Sequence, residues 1–160
     1  MLALTRRTEY ALMALCHLAR APEEVTSARD IAERNAIPLA LLMNVLKSLN
    51  NNGLLHSTRG ASGGYRLATD PRRITLAALI EAVEGPLRLV RCIVRPGDSD
   101  QAHNCELTGT CPVRSPVLKI HQHLERFLEN LTVADVAFDE HYGASAVLAI
   151  SAEPLKVLAT

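Results

Sequence analysis

From residue 5 to residue 20 the apolar side chains return at helical spacing. Leu12, Leu15 and Leu18, with Ala11, Ala14 and Ala19, share one face of a first helix. Ala21-Pro22 stops it. Ser27 with Asp30 has the form of a capping box and opens a short second helix to about Arg34. Ala36-Ile37-Pro38 is a turn, and Pro38 suits a first helical position. In the third helix, residues 38–52, Leu39, Leu42, Val45, Leu46 and Leu49 face a core while Asn44, Lys47 and Ser48 face out. Gly53, after three asparagines, can take the left-handed cap.

Beyond residue 53 the pattern changes. Two short apolar strands, ending near Ala68, flank a tip that carries Arg59, Gly60, Gly63 and Gly64. The three glycines are expected to allow positive φ and close approach to a neighbouring surface. Asp70-Pro71-Arg72-Arg73 is a turn, and Thr75 caps a fourth helix, 76–84, that stops at Glu84-Gly85-Pro86. Residues 92–111 read as loop. A long helix follows from Pro112 to Leu131. Along it Val113, Val117, Ile120, Leu124, Phe127 and Leu131 are spaced 4, 3, 4, 3, 4, a heptad seam that asks for a partner helix. Residues 132–160 hold no recognisable chemistry. Their apolar stretches, Ala144 to Ile150 and Leu155 to Leu158, form a short helix or stay loosely ordered.

These elements predict a mainly α fold with a small β-hairpin wing: a winged helix-turn-helix plus a long dimerisation helix. The expected division is 1–86 for the DNA-binding domain, 87–111 for a cysteine-bearing loop, 112–135 for the dimerisation helix and 136–160 for a tail. A helix followed by a glycine-rich basic hairpin points to double-stranded DNA. Arg59 at the tip suits a narrow minor groove, whose enhanced negative potential draws in a cation. The N-terminal part of the third helix belongs at base edges in the major groove. There Asn44 can pair with adenine, and Lys47 can reach guanine or a phosphate. Thr5, Arg6, Ala40 and Gly60 complete the candidate DNA-contact set. A palindromic operator requires two-fold symmetry, so a homodimer is expected through Val117, Ile120, Leu124, Phe127 and Leu131.

Composition adds a location. Apolar residues make up 48% of the chain, enough for a core, but no apolar run spans a bilayer. The first residues, with Arg6, Arg7 and Glu9, lack a signal-peptide core, so a cytoplasmic protein without membrane contact is expected. Net charge is zero but unevenly spread: residues 1–92 hold 12 Lys/Arg against 8 Asp/Glu, and residues 93–160 hold 5 against 9. A basic front and an acidic back fit a DNA-binding module joined to a sensing one.

The cysteines add chemistry. Cys92, Cys105 and Cys111 fall within 20 residues, and clustered thiols in a reducing compartment suit an iron–sulfur cluster or zinc. Their spacing lacks the paired ligands of a zinc finger. Three thiols leave one coordination position for Glu9, His103, Asp98 or Asp100. A non-thiolate position is where a small molecule or oxidant attacks. Cys16, on the apolar face of the first helix, reads as a small buried hydrophobe. No nucleophile elbow, phosphate loop or paired-carboxylate motif marks an enzyme.

Together the residues resemble the Rrf-two family of bacterial transcription regulators, of the IscR/NsrR type. The matching pieces begin with Thr5-Arg6-Arg7-Thr8-Glu9-Tyr10-Ala11-Leu12, Asp30-Ile31-Ala32-Glu33-Arg34 and Leu46 to Leu55. They continue with the wing, Arg59 to Leu67, then Glu81-Ala82-Val83-Glu84-Gly85, Cys92, Cys105-Glu106-Leu107 and Cys111. The long helix ending Leu131-Thr132-Val133-Ala134-Asp135 completes them, so the resemblance covers about residues 1–136. It implies a homodimer with crossed long helices and a 4Fe-4S or 2Fe-2S cluster on the three loop cysteines. The fourth ligand in such proteins varies. In some it is a carboxylate near the start of the first helix, given by the other subunit, and Glu9 stands at that position. The implied activity is a repressor whose operator affinity follows redox state, nitric oxide or iron–sulfur status. The alternatives are a cluster-free thiol or zinc regulator, or a regulator that docks onto a metabolic enzyme. Two features depart from the family. The gap from Cys92 to Cys105 is longer than usual, which keeps His103 open as a ligand. The third helix begins Pro38-Leu39-Ala40-Leu41-Leu42-Met43-Asn44, where relatives carry more polar base-reading groups.

Overall fold

A computed structural model of the chain describes residues 4–60, 62–90, 93 and 109–138. Its helices are α1 (Arg6–Ala19), α2 (Ala28–Arg34), α3 (Leu39–Asn51), α4 (Leu76–Glu84), α5 (Arg114–Asn130) and α6 (Val133–Phe138), and its strands are β1 (Leu55–Thr58) and β2 (Gly64–Leu67). A single 3-10 turn, Pro71–Arg73, precedes α4.

Local chemistry explains each boundary. Thr5, Ser27 and Thr75 cap α1, α2 and α4, each side chain accepting a bond from the backbone N–H three residues on. At the end of α3 the N–H of Leu54 bonds the Leu49 carbonyl and that of Gly53 bonds the Asn50 carbonyl. Gly53 sits at φ +75°, so this is the glycine-terminated cap expected from the sequence. The turn between α2 and α3 closes the same way without a glycine. Ala36 takes φ +52°, and the Ile37 N–H bonds the Ala32 carbonyl. Pro38 lies one place earlier than expected, as the residue before α3, because its ψ of 121° is not helical.

One core joins these elements. Leu15 and Leu18 of α1, Ile31 of α2, Leu42, Leu46 and Leu49 of α3, Leu55 of β1, Ile74 and Leu79 are buried together. Val133 and Ala137 of α6 complete it. Helical periodicity does not announce α6, which lies within 132–160. It is held by pairing rather than by length: Thr132 bridges Thr75, Leu76 donates to the Leu131 carbonyl, and Val133 donates to the Ile74 carbonyl. The long helix therefore ends at Asn130, and the chain breaks at Leu131-Thr132 before α6 begins.

Two side chains of α3 differ from their expected faces. Leu39, assigned to the core, is 39% exposed, because the core row starts at Leu42. Ser48, assigned to solvent, is half-buried and donates to the Ala82 carbonyl of α4 at 2.6 Å. The heptad seam also divides. Val117, Leu124 and Leu131 are half-buried, while Val113, Ile120 and Phe127 stand 57%, 58% and 58% exposed. Among the described residues no helix is long and apolar enough to cross a membrane.

Candidate nucleic-acid interface

The wing is a two-stranded antiparallel hairpin in which Leu55 pairs with Leu67 and Thr58 with Gly64. Leu55 and Leu67 are buried, which anchors its base, while Arg59 and Gly60 are exposed at its tip. The glycines divide their labour differently from expectation. Among the three, only Gly60 adopts positive φ, at +124°. Gly63 and Gly64 are required by proximity. A Cβ on Gly63 would strike the Thr58 carbonyl, and one on Gly64 would strike the Thr26 carbonyl. Thr26 lies just before α2 and pairs with Tyr65 through two backbone bonds of 3.0 and 2.8 Å. The missing side chains let the wing lie against the helix-turn-helix instead of swinging free.

The exposed side of α3 meets the first turn of α1 in a cleft of about 580 Å³. Arg6, Arg7 and Tyr10 line it from α1; Leu41, Asn44, Lys47, Ser48 and Asn51 line it from α3. Arg6, Asn44 and Lys47 were singled out separately in the sequence, and the fold brings them to one surface. Arg7 joins them as a cation that sequence reading passed over, although it is half of the Arg6-Arg7 pair. Ala40 is exposed on the first turn of α3. Thr5 is exposed too, but its hydroxyl is engaged. It caps α1 and donates to Glu84 Oε1 at 2.5 Å, which also accepts from buried Thr8 at 3.3 Å. The cleft thus offers cations for phosphates and an amide for base edges.

The candidate ligands are placed unevenly. Cys92, Cys105 and His103 lie outside the described residues, as do Asp98 and Asp100. Cys111 is a half-buried free thiol in the turn before α5. Glu9 is exposed on α1, and its carboxylate stands 3.9 Å from the Arg6 guanidinium, a loose pair that leaves oxygen lone pairs available. Thiolates with one carboxylate form a donor set suited to iron. Among the described residues no three ligating side chains gather. Cys16 is half-buried, and burial pushes its thiol pKa up despite Arg20, so it stays protonated and inert. Beside α1 runs a second groove of about 420 Å³, mostly apolar, between Leu4, Ile80, Pro86, Leu87, Leu124 and Leu128. It separates the ends of α1 and α4 from α5.

Residues 4–139 match the family model Rrf2, described as an iron-dependent transcriptional regulator. The chain is 36% identical over 140 residues to the HTH-type transcriptional regulator NsrR of Geobacillus kaustophilus, covering 85% of this chain and 90% of that one. It is 31% identical over 134 residues to the regulator IscR of Serratia proteamaculans, covering 83% and 77%. Among solved structures, CymR, the global cysteine regulator of B. subtilis, superposes with a TM-score of 0.67 at 28% identity, covering 87% of this chain and 98% of that one. IscR of T. potens superposes with a TM-score of 0.65 at 29% identity, covering 86% and 88%.

Proposed function

The chain belongs to the Rrf2 family of DNA-binding transcription regulators, and from that premise we propose that its grip on DNA is switched by an iron–sulfur cluster. It is not an enzyme. The observation that carries the proposal is the donor set: three cysteines, Cys92, Cys105 and Cys111, in one segment, with the exposed carboxylate of Glu9 on the helix that also presents Arg6 and Arg7. Bound there, a 4Fe-4S or 2Fe-2S cluster would supply an oxidant- and nitric oxide-sensitive iron. The chain's own residues do the rest. Glu9 sits on the same turn of α1 as the cations of the cleft, so a pull on Glu9 moves Arg6 and Arg7 against α3. The protein acts as a cytoplasmic repressor, a homodimer on a palindromic operator. Arg6, Asn44, Lys47 and Ala40 lie at the major groove and Arg59 and Gly60 at the minor groove, with Thr5 holding the start of α1 in place. Residues 1–86 form the DNA-binding domain, 87–111 the cluster loop, 112–135 the pairing helix and 136–160 a tail.

The test is anaerobic purification followed by iron, sulfide and visible-absorption measurement. Protein with neither iron nor sulfide sinks the cluster reading. Cys111→Ser abolishes cluster retention. Glu9→Ala retains the three thiolates and accelerates cluster loss in air; unchanged stability and nitric oxide reactivity would remove Glu9 from the ligand set.

A second reading is favoured by the similarity to the cysteine regulator CymR and by the free thiol of Cys111. In it the same cysteines respond as thiols, without metal. Reversible loss of DNA binding under peroxide, in protein free of iron and sulfide, separates the two.

A further inference from the structure

The start of α3 carries side chains that the core does not use. Leu41 is 50% exposed and Met43 is 44% exposed. At about 100° per residue, the ridge opposite buried Leu42, Val45, Leu46 and Leu49 is Ala40, Asn44 and Lys47. Leu41 flanks that ridge on one side and Met43 on the other. Leu41 also borders the cleft rimmed by Arg6, Arg7 and Lys47. An apolar pair set among cations matches a polyanion with apolar groups on its readable edge. It does not match an apolar protein face, which would desolvate those cations without adding carboxylates to pair them.

In the major groove the apolar group is the C5-methyl of thymine. Guanine is read by arginine or lysine and cytosine by a carboxylate; residues 39–47 contain no arginine and no acidic side chain, and their one lysine, Lys47, lines the cleft with Arg6 and Arg7. What remains is an amide suited to adenine, a lysine and exposed hydrocarbon. We infer that α3 reads an A·T-rich half-site, with Leu41 and Met43 packed on thymine methyls on either side of an adenine bound by Asn44. This rests on the assignment of α3 to the major groove. Arg6, Arg7 and Lys47 then hold phosphates and set affinity, while the hydrocarbon sets sequence.

The full-length protein, both as isolated anaerobically and after cluster removal, is first used to enrich bound duplexes from a random-core pool. Each thymine of the enriched half-site is then replaced by uracil, which deletes only the methyl. Binding is read by fluorescence anisotropy at fixed salt. Enriched half-sites are A·T-rich, and at two positions uracil weakens binding about fourfold, the worth of about one buried methylene. Leu41→Ala erases the thymine preference at one of these positions and Met43→Ala at the other, with the salt dependence unchanged. Half-sites that are G·C-rich, or that bind uracil as tightly as thymine, overturn the inference and leave the DNA interface standing. A pool that enriches no sequence in either state overturns the assignment of α3 and the inference with it.

Discussion

At the level of single residues the wing depends on what is missing. Gly60 is needed for its backbone, at φ +124°, a region that a Cβ disfavours. Gly63 and Gly64 are needed for space, because backbone oxygens occupy the positions a Cβ would take. Sequence alone signals "glycine" in both cases. The distinction appears only when Thr26, 38 residues before Gly64, is seen pairing with Tyr65. It has a measurable consequence. Gly64→Ala must push the Thr26–Tyr65 bridge apart and costs about 1–3 kcal/mol, the range for overpacking a tight site. Chemical denaturation reads that loss. DNA affinity falls with it, because the same bridge fixes the wing against α2. Unchanged stability in Gly64→Ala would mean that the wing is not held there.

At the level of elements, periodicity carried most of the fold. The Ser27 and Thr75 caps, the glycine cap after Leu49 and the apolar rows of α1 and α3 are local signals, and the structure places α1 to α4 where those signals fall. The misses lie where tertiary contacts decide. Leu39 has the right residue type for a core position but falls outside the row that packs on α1. Ser48 has the wrong type, yet it finds the Ala82 carbonyl. Six-residue α6 is too short to announce itself by period. Its signal was its own cap: Thr132 donates backbone and hydroxyl protons to Asp135 Oδ2 at 2.8 and 2.7 Å, and its oxygen accepts from the Asp135 N–H. The Thr132 hydroxyl and then its backbone N–H hold the Asp135 carboxyl below its ordinary pKa of 3.8. A depressed carboxyl pKa stabilises the folded state above 3.8 and ceases to do so as pH falls through the folded value. Asp135→Ala therefore lowers Tm at pH 7, and the gap between variant and wild type closes as the pH drops below 3.8. A gap that persists unchanged at pH 3 would mean that the carboxylate's charge contributes nothing to the docking of α6.

At the level of the whole molecule, the candidate site was only partly readable because it is assembled from distant segments. Arg6 and Lys47 were visible as charges, but nothing in the sequence says that they share a cleft. The seam on α5 is the converse case: its spacing was plain, and the fold shows that one chain satisfies half of it. Val117, Leu124 and Leu131 are half-buried in the single chain, and Leu124 borders the groove that Ile80 lines. Val113, Ile120 and Phe127 recur every seven residues and remain more than half exposed. Such a stripe along a 17-residue helix, about 25 Å long, is suited to a second α5 crossing it. The predicted dimer therefore rests on the exposed half of the seam. Phe127→Glu places a charge in that contact and leaves the chain's own core untouched, because the side chain is 58% exposed in the single chain. In sedimentation the variant should run as the 17.4 kDa monomer, with its helical circular dichroism retained, while the wild type runs at twice that mass. Binding to DNA should separate in the same way. Two tethered winged helices gain avidity on a palindrome because the second contact is intramolecular, whereas a single half-site gives no such gain. Phe127→Glu should thus lose affinity for the palindrome and keep that for one half-site. A variant that remains dimeric would show that the chains pair elsewhere. Loss of affinity for both duplexes would instead place Phe127 in the folding of the DNA-binding unit.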